Sequence, residues 1–203
     1  TTPEAFLDSA LLSDATLPTL QATALDALTR HPSPAAVPLA LALLEAPNFE
    51  VHAAAHAALR QITNQPIGDT QANRPAAARR KLTAQWRAFW SEHQADSWDT
   101  WLRKGFALRG VRLPVTPDAD ALDVLVSRIA DADEDELAAA VRLLGRWTGH
   151  IVSPLGRSRR GLTRHWRRWL ELHPEPLQPS PAAEPPPDEA PSQGPPALPE
   201  PAR

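Results

Sequence analysis

Residues 51–61 read VHAAAHAALRQ, and residues 20–30 read LQATALDALTR. The two stretches align at a spacing of 31, with alanine or leucine at the same four places in each. In and just after the later stretch, apolar side chains recur at i, i+3, i+4, i+7, i+8 and i+11, which is the pattern of a helix with one buried face. These positions are Val51, Ala54, Ala55, Ala58, Leu59 and Ile62. A helix that recurs at a fixed spacing predicts a repeat architecture.

The repeating unit is predicted to be a helical hairpin. Ser33 and Pro34 are typical of a helix start, and the apolar stripe that follows them ends at Pro47 and Asn48, before the helix that contains residues 51–61. The stretch LAAAVRLLGRWTG repeats the second helix at a spacing of 85, and the residues before it repeat the first. Hairpins are therefore expected at about 5–31, 33–64 and 118–149.

A longer repeat contains tryptophan. The stretch RRKLTAQWRAFWSEH begins at Arg79 and resembles RRGLTRHWRRWLELH, which begins at Arg159, at a spacing of 80. Each stretch follows the second helix of a hairpin, so the sequence predicts a duplicated module of hairpin, loop and Trp-containing helix. Trp-containing helices are expected at about 79–93, 96–107 and 158–173.

These hairpins resemble the HEAT and armadillo-like repeat families. The resemblance lies in the pairing of two helices in each repeat and in a second helix of the form apolar-x-x-Ala-Ala-x-x-Ala-Leu, and it covers residues 5–63 and 118–149. Gln21 and His52 depart from it, because HEAT repeats often carry a basic residue there, and the Trp-containing helices lie outside the consensus. A bacterial-type HEAT repeat domain with Trp-rich inserted helices implies an α-α superhelix, a solenoid that acts as a non-catalytic scaffold for a protein partner.

The composition agrees with an all-α fold. The chain is 42% hydrophobic, mostly through alanine and leucine, and contains no tyrosine, methionine or cysteine, so disulfides and thiolate zinc sites are excluded. From Pro174 onward proline is the commonest residue, which predicts a folded domain at 1–173 and a disordered proline-rich tail at 174–203.

The sequence gives one indication of location. It contains no apolar run long enough to cross a membrane as a helix, so no transmembrane segment is expected. It starts at Thr1 without an initiator methionine. A cleaved export signal would account for that start and would place the protein in the periplasm or cell envelope, and the alternative is a cytoplasmic protein.

The aromatic residues of the predicted helices have the spacing of a buried stripe. We therefore expect a structural role for Trp86, Phe89, Trp90, Trp147, Trp166 and Trp169. The alternative is an aromatic platform that stacks on bases, sugars or a peptide.

Arginines form a second stripe on the last predicted helix, displaced by two residues from the aromatic one and so nearly opposite it. Together with Arg157 this stripe is the candidate contact surface for an anionic partner, and Arg142, Arg146 and Arg159 are close to it in sequence. The alternative is a solvated end-cap helix that pairs with the acidic residues 131–136 or with the tail. The stripe consists of Arg160, Arg164, Arg167 and Arg168.

No motif predicts catalysis, a cofactor or a metal. His52 and His56 have i, i+4 spacing but lack the glutamate and third ligand of a zinc hydrolase, and residues 131–136 lack the glycine and final glutamate of a calcium loop. The favoured function is a protein-binding scaffold. The alternative is a nucleic-acid-binding protein similar to the HEAT-like DNA glycosylases, which would use the C-terminal arginines.

Overall fold

The computed structural model describes residues 18–68 and 75–174, and this part of the chain contains eight α-helices, one short 3-10 helix (Pro34–Ala36) and no strand. The prediction of an all-helical protein is confirmed for these residues. The first helix of the predicted hairpin at 5–31 and the tail from residue 175 lie outside them. The helices are α1 (Pro18–Arg30), α2 (Val37–Leu43), α3 (Phe49–Thr63), α4 (Ala76–His93), α5 (Trp98–Leu108), α6 (Ala119–Asp131), α7 (Glu134–Thr148) and α8 (Arg159–Leu172).

Short polar side chains set where most of these helices begin. The Oδ1 atom of Asn48 accepts hydrogen bonds from the backbone N–H groups of Glu50 and Val51 at 2.8 and 3.2 Å, which satisfies two of the free donors at the start of α3. The same kind of cap opens α5, α6, α7 and α8, at Ser97, Asp118, Asp133 and Ser158.

The helices pack around two apolar clusters. The first is formed by α1 to α4 and contains Leu25, Leu59 and Trp86, and the second is formed mainly by α6 to α8 and contains Leu125 and Trp166. Helix α5 joins the clusters, because Trp101 belongs to the first whereas Leu102 and Phe106 belong to the second.

A buried ion pair connects α3 with α7. The Arg60 Nε atom donates to the Asp135 carboxylate at 2.5 Å, and the Gln61 side chain donates to the other oxygen of that carboxylate at 3.0 Å. Burial raises the pKa of Asp135, and the charge of Arg60 opposes that rise. Since a buried charge is costly without a partner, this pair couples the positions of the two helices.

Two of the three predicted Trp-containing helices, α4 and α8, are held on their hairpins in the same way. The Arg79 guanidinium donates to the Pro47 carbonyl in the α2–α3 turn at 3.3 Å, and Arg159 donates to the Ala132 carbonyl in the α6–α7 turn. The side chains that follow the two arginines at the same spacing, Trp86 and Trp166, are both fully buried. We therefore define a first module at residues 33–93 and a second at 118–173.

The remaining aromatic residues are not all equally buried. Phe89 and Trp147 are buried in the clusters, as the stripe predicts, but Trp90 and Trp169 are only half-buried. These two lie in the second halves of α4 and α8, where the helices extend beyond Trp86 and Trp166.

Candidate functional site

The predicted arginine stripe is exposed on α8. The side chains of Arg160, Arg164, Arg167 and Arg168 point to solvent, and Arg157 is exposed in the loop before the helix. Within the described ranges, only one of these five arginines forms an ion pair: Arg168 pairs with Glu171 at 3.4 Å. We call these five arginines the arginine surface.

The opposite face of α8 explains this exposure. Leu162 and Trp166 are fully buried in the second cluster, so side chains displaced by two residues from them turn away from the protein. The Ser158 hydroxyl accepts a hydrogen bond from the Gly161 N–H at 3.1 Å and fixes the start of the helix. Packing and capping together hold the arginine surface on a rigid element.

In the first module the equivalent face lines a groove. The groove has a volume of about 430 Å³ and lies between the α2–α3 turn and α4, with Arg79, Arg80 and Arg87 in its wall. Arg87 forms an ion pair with Glu45 there. In the second module, the spacing of 80 places Arg167 at the position of Arg87, and the spacing of 85 places Ala130 at the position of Glu45. Arg167 therefore has no carboxylate at the position from which Glu45 pairs with Arg87. The sequence did not lead us to expect this groove.

Three arginines that are close to the arginine stripe in the sequence, Arg142, Arg146 and Arg159, do not belong to the arginine surface. Arg142 and Arg146 lie over the Trp98 ring, 5.2 and 5.5 Å from its centroid, and Arg146 also pairs with Asp99. Burial, and then the charge of Arg146, lower the pKa of Arg142 to about 10. Arg159 is the anchor to the α6–α7 turn. These arginines therefore hold helices together.

A histidine cluster lies beside the arginine surface, and the sequence did not predict it. The Nε2 atoms of His150 and His165 are 2.9 Å apart, which is a hydrogen bond when one nitrogen carries a proton and the other does not. The Trp169 ring lies 5.2 Å from His150 and 4.3 Å from His173, nearly parallel to both. Burial, followed by the charges of His165 and His173, lowers the pKa of His150.

One signal in the sequence points to part of this cluster. His165, Trp169 and His173 stand at i, i+4 and i+8 and share one line along α8. His150 comes from the loop after α7, and no spacing rule relates it to that line.

Neither the geometry nor the comparisons assign a chemistry to the chain. Within residues 18–68 and 75–174, no group of three or more side chains is arranged to hold a metal ion, and no helix has the length and hydropathy to cross a membrane. The Nε2 atom of His56, considered above as a metal ligand, lies 2.8 Å from the Ile67 carbonyl. No family model, curated protein or solved structure matches the sequence or the fold.

Proposed function

We propose that this chain is a non-catalytic binding module of the HEAT-repeat type, in which helical hairpins stack to form a scaffold for a protein partner. Support comes from the recurrence of one module with the same contacts. In both modules the Trp-containing helix is anchored by an arginine to the hairpin turn, and the threonine four residues after that arginine donates to its carbonyl, at 3.1 Å in α4 and 3.0 Å in α8. Repeat scaffolds are built from similar units that pack on their neighbours, and here the Arg60–Asp135 ion pair joins the two modules.

The arginine surface is the proposed contact for an acidic segment of that partner. The observation that carries the proposal is the exposure of Arg160, Arg164 and Arg167 with no ion pair to any described residue. Guanidinium groups bind carboxylates through two parallel hydrogen bonds, and a helix that is already folded presents them without a further cost of backbone ordering. Four such groups within about two turns favour an acidic stretch over a single carboxylate.

Nucleic acid is the alternative ligand for the same arginines. Proteins that bind single strands usually combine basic side chains with exposed aromatic rings. The ring of Trp166 is fully buried beneath the arginine surface, and the half-buried Trp169 ring beside it is already stacked on His150 and His173, so neither of these two rings has a free face for a base. The protein partner is therefore the better-supported proposal.

The test compares three forms of the full chain: the parent, a variant with Arg160, Arg164, Arg167 and Arg168 all changed to Glu, and a control with all four changed to Lys. The probes are a fluorescent poly-glutamate peptide and a fluorescent random DNA duplex. Circular dichroism checks that each variant is folded.

We expect the parent to bind the acidic peptide, the lysine variant to retain part of the affinity and the glutamate variant to lose it. Affinity for the peptide should fall as salt is raised, since exposed charges are screened. Equal peptide binding by the folded glutamate variant and the parent would contradict the proposal. Preference for DNA with a steep salt dependence would favour the nucleic-acid alternative.

A further inference from the structure

Helix α5 covers one end of the first module. The indole N–H of Trp101 donates to the His93 carbonyl at 2.7 Å, and its ring packs edge-on against Phe89 and Trp90, with centroids 6.5 and 5.7 Å away. A second indole N–H, that of Trp98, donates to the Ile62 carbonyl at 2.7 Å. Both carbonyls lie at the C-terminal ends of helices, where the backbone has no partner of its own.

Polar side chains of the two residues that follow α3 complete this contact. Asn64 donates to the Leu102 carbonyl at 3.0 Å, and Gln65 donates to the Trp101 carbonyl at 2.8 Å. Gly105 lies directly against the Asn64 backbone, so α5 approaches the end of α3 too closely to leave room for a side chain at this position. The covered end of the first module consists of Thr63, Asn64, Gln65, Phe89, Trp90 and His93.

The second module presents the equivalent end without such a helix among the described residues. Five of its six positions are more exposed than their counterparts in the first module: buried Asn64 corresponds to exposed Gly149, and buried Phe89 corresponds to half-buried Trp169. Leu172 beside this end is 59% exposed. No described side chain donates a hydrogen bond to the carbonyls that correspond to those of Ile62 and His93. This open end consists of Thr148, Gly149, His150, Trp169, Leu170 and His173.

We propose that the open end is a docking surface for an amphipathic helix of the α5 type, supplied by a partner protein. Such a helix carries two tryptophans three residues apart, a leucine after the second and a small residue where α5 has Gly105. The indole N–H groups would donate to the Trp147 and His173 carbonyls, and the rings would pack on Trp169 and Leu170. Buried tryptophans in such positions contribute much of the binding energy at protein interfaces.

Neither of the two terminal stretches of this sequence resembles α5. Residues 175–203 have no aromatic residue and only two leucines, and residues 1–17 contain no tryptophan. The α5 of a second copy is already engaged with its own first module. The open end is also distinct from the arginine surface, so the proposal does not depend on the function assigned to those arginines.

The experiment uses a synthetic peptide of residues 95–110, ADSWDTWLRKGFALRG, with blocked termini. It is added to the ¹⁵N-labelled full chain, and binding is followed by NMR, because a short isolated helix pays an ordering cost and binds weakly. The control is the same peptide with both tryptophans changed to alanine. A second protein sample carries His173→Asp, an exposed substitution that should leave the fold intact and alter the rim of the open end.

We expect shifts at Gly149, at His150 and at the indole of Trp169, with affinity at least about tenfold lower for the alanine peptide and lower for the His173→Asp protein. The glutamate variant of the arginine surface should bind the peptide as the parent does, which separates this result from the test of the proposed function. Absence of shifts, shifts confined to the covered end, or concentration-dependent self-association through the open end would each overturn the proposal.

Discussion

Substitution of Gly105 by alanine tests the close packing of α5 on α3. A methyl group built at this position would lie 2.1 Å from the Asn64 carbonyl oxygen and 2.7 Å from its carbonyl carbon, and both are backbone atoms that cannot rotate away. Helix α5 must therefore move, at an overpacking cost of about 1–3 kcal/mol. The movement also weakens the Asn64 to Leu102 hydrogen bond, worth about 1 kcal/mol, and alanine returns about 1 kcal/mol through helix propensity.

The net expectation is that the free energy of unfolding falls by about 2 kcal/mol. Urea denaturation of the full chain measures it, and the melting temperature should fall by about 4–8 °C for a domain of this size. The matched control is Gly145→Ala in α7, where the added methyl would lie 3.4 Å from the His150 carbonyl oxygen, an ordinary contact distance. Only the higher helix propensity of alanine then acts, so the free energy of unfolding should stay the same or rise by about 1 kcal/mol. If Gly105→Ala proved as stable as the parent, the reasoning about α5 would be wrong.

Three further outcomes are expected. Trp86→Ala and Trp166→Ala should each lower the free energy of unfolding by about 3–5 kcal/mol in urea titrations, since both rings are fully buried. Arg60→Met should cost about 3 kcal/mol because it leaves the buried Asp135 carboxylate without a countercharge, whereas Asp99→Asn, in a more exposed pair, should cost at most about 1 kcal/mol by the same assay. Stability should fall as pH falls below about 6.5, because the lowered pKa of His150 leaves the unfolded chain binding more protons; thermal melts should show a flatter dependence for His150→Gln.

Local periodicity accounts for what the sequence predicted well. Apolar spacing and short polar caps, such as Asn48 before α3 and Ser158 before α8, act within a few residues and can therefore be read from the sequence. The exposure of Arg160 and the burial of Trp166 follow from the same argument, since both positions belong to one amphipathic helix.

Contacts between distant segments account for what the sequence did not predict. The place of Arg142 over the Trp98 ring depends on how α5 meets α7, and the contact between His150 and His165 depends on the path of one loop. Neither contact joins residues at helical spacing. The groove near Glu45 and the open end likewise arise only when a hairpin and its Trp-containing helix are assembled.

The two modules differ in the length of the connection between hairpin and Trp-containing helix. Arg79 follows Asn64 by fifteen positions, but Arg159 follows Gly149 by ten. Each connection begins at a residue with left-handed backbone geometry, Asn64 with φ of 60° and Gly149 with φ of 72°. The anchoring arginine nevertheless reaches the same turn in each. Extra residues in such a connection cost little loop-closure entropy, so an affinity tag or a small domain should be tolerated there if it is inserted away from buried Gln65 and half-buried His150.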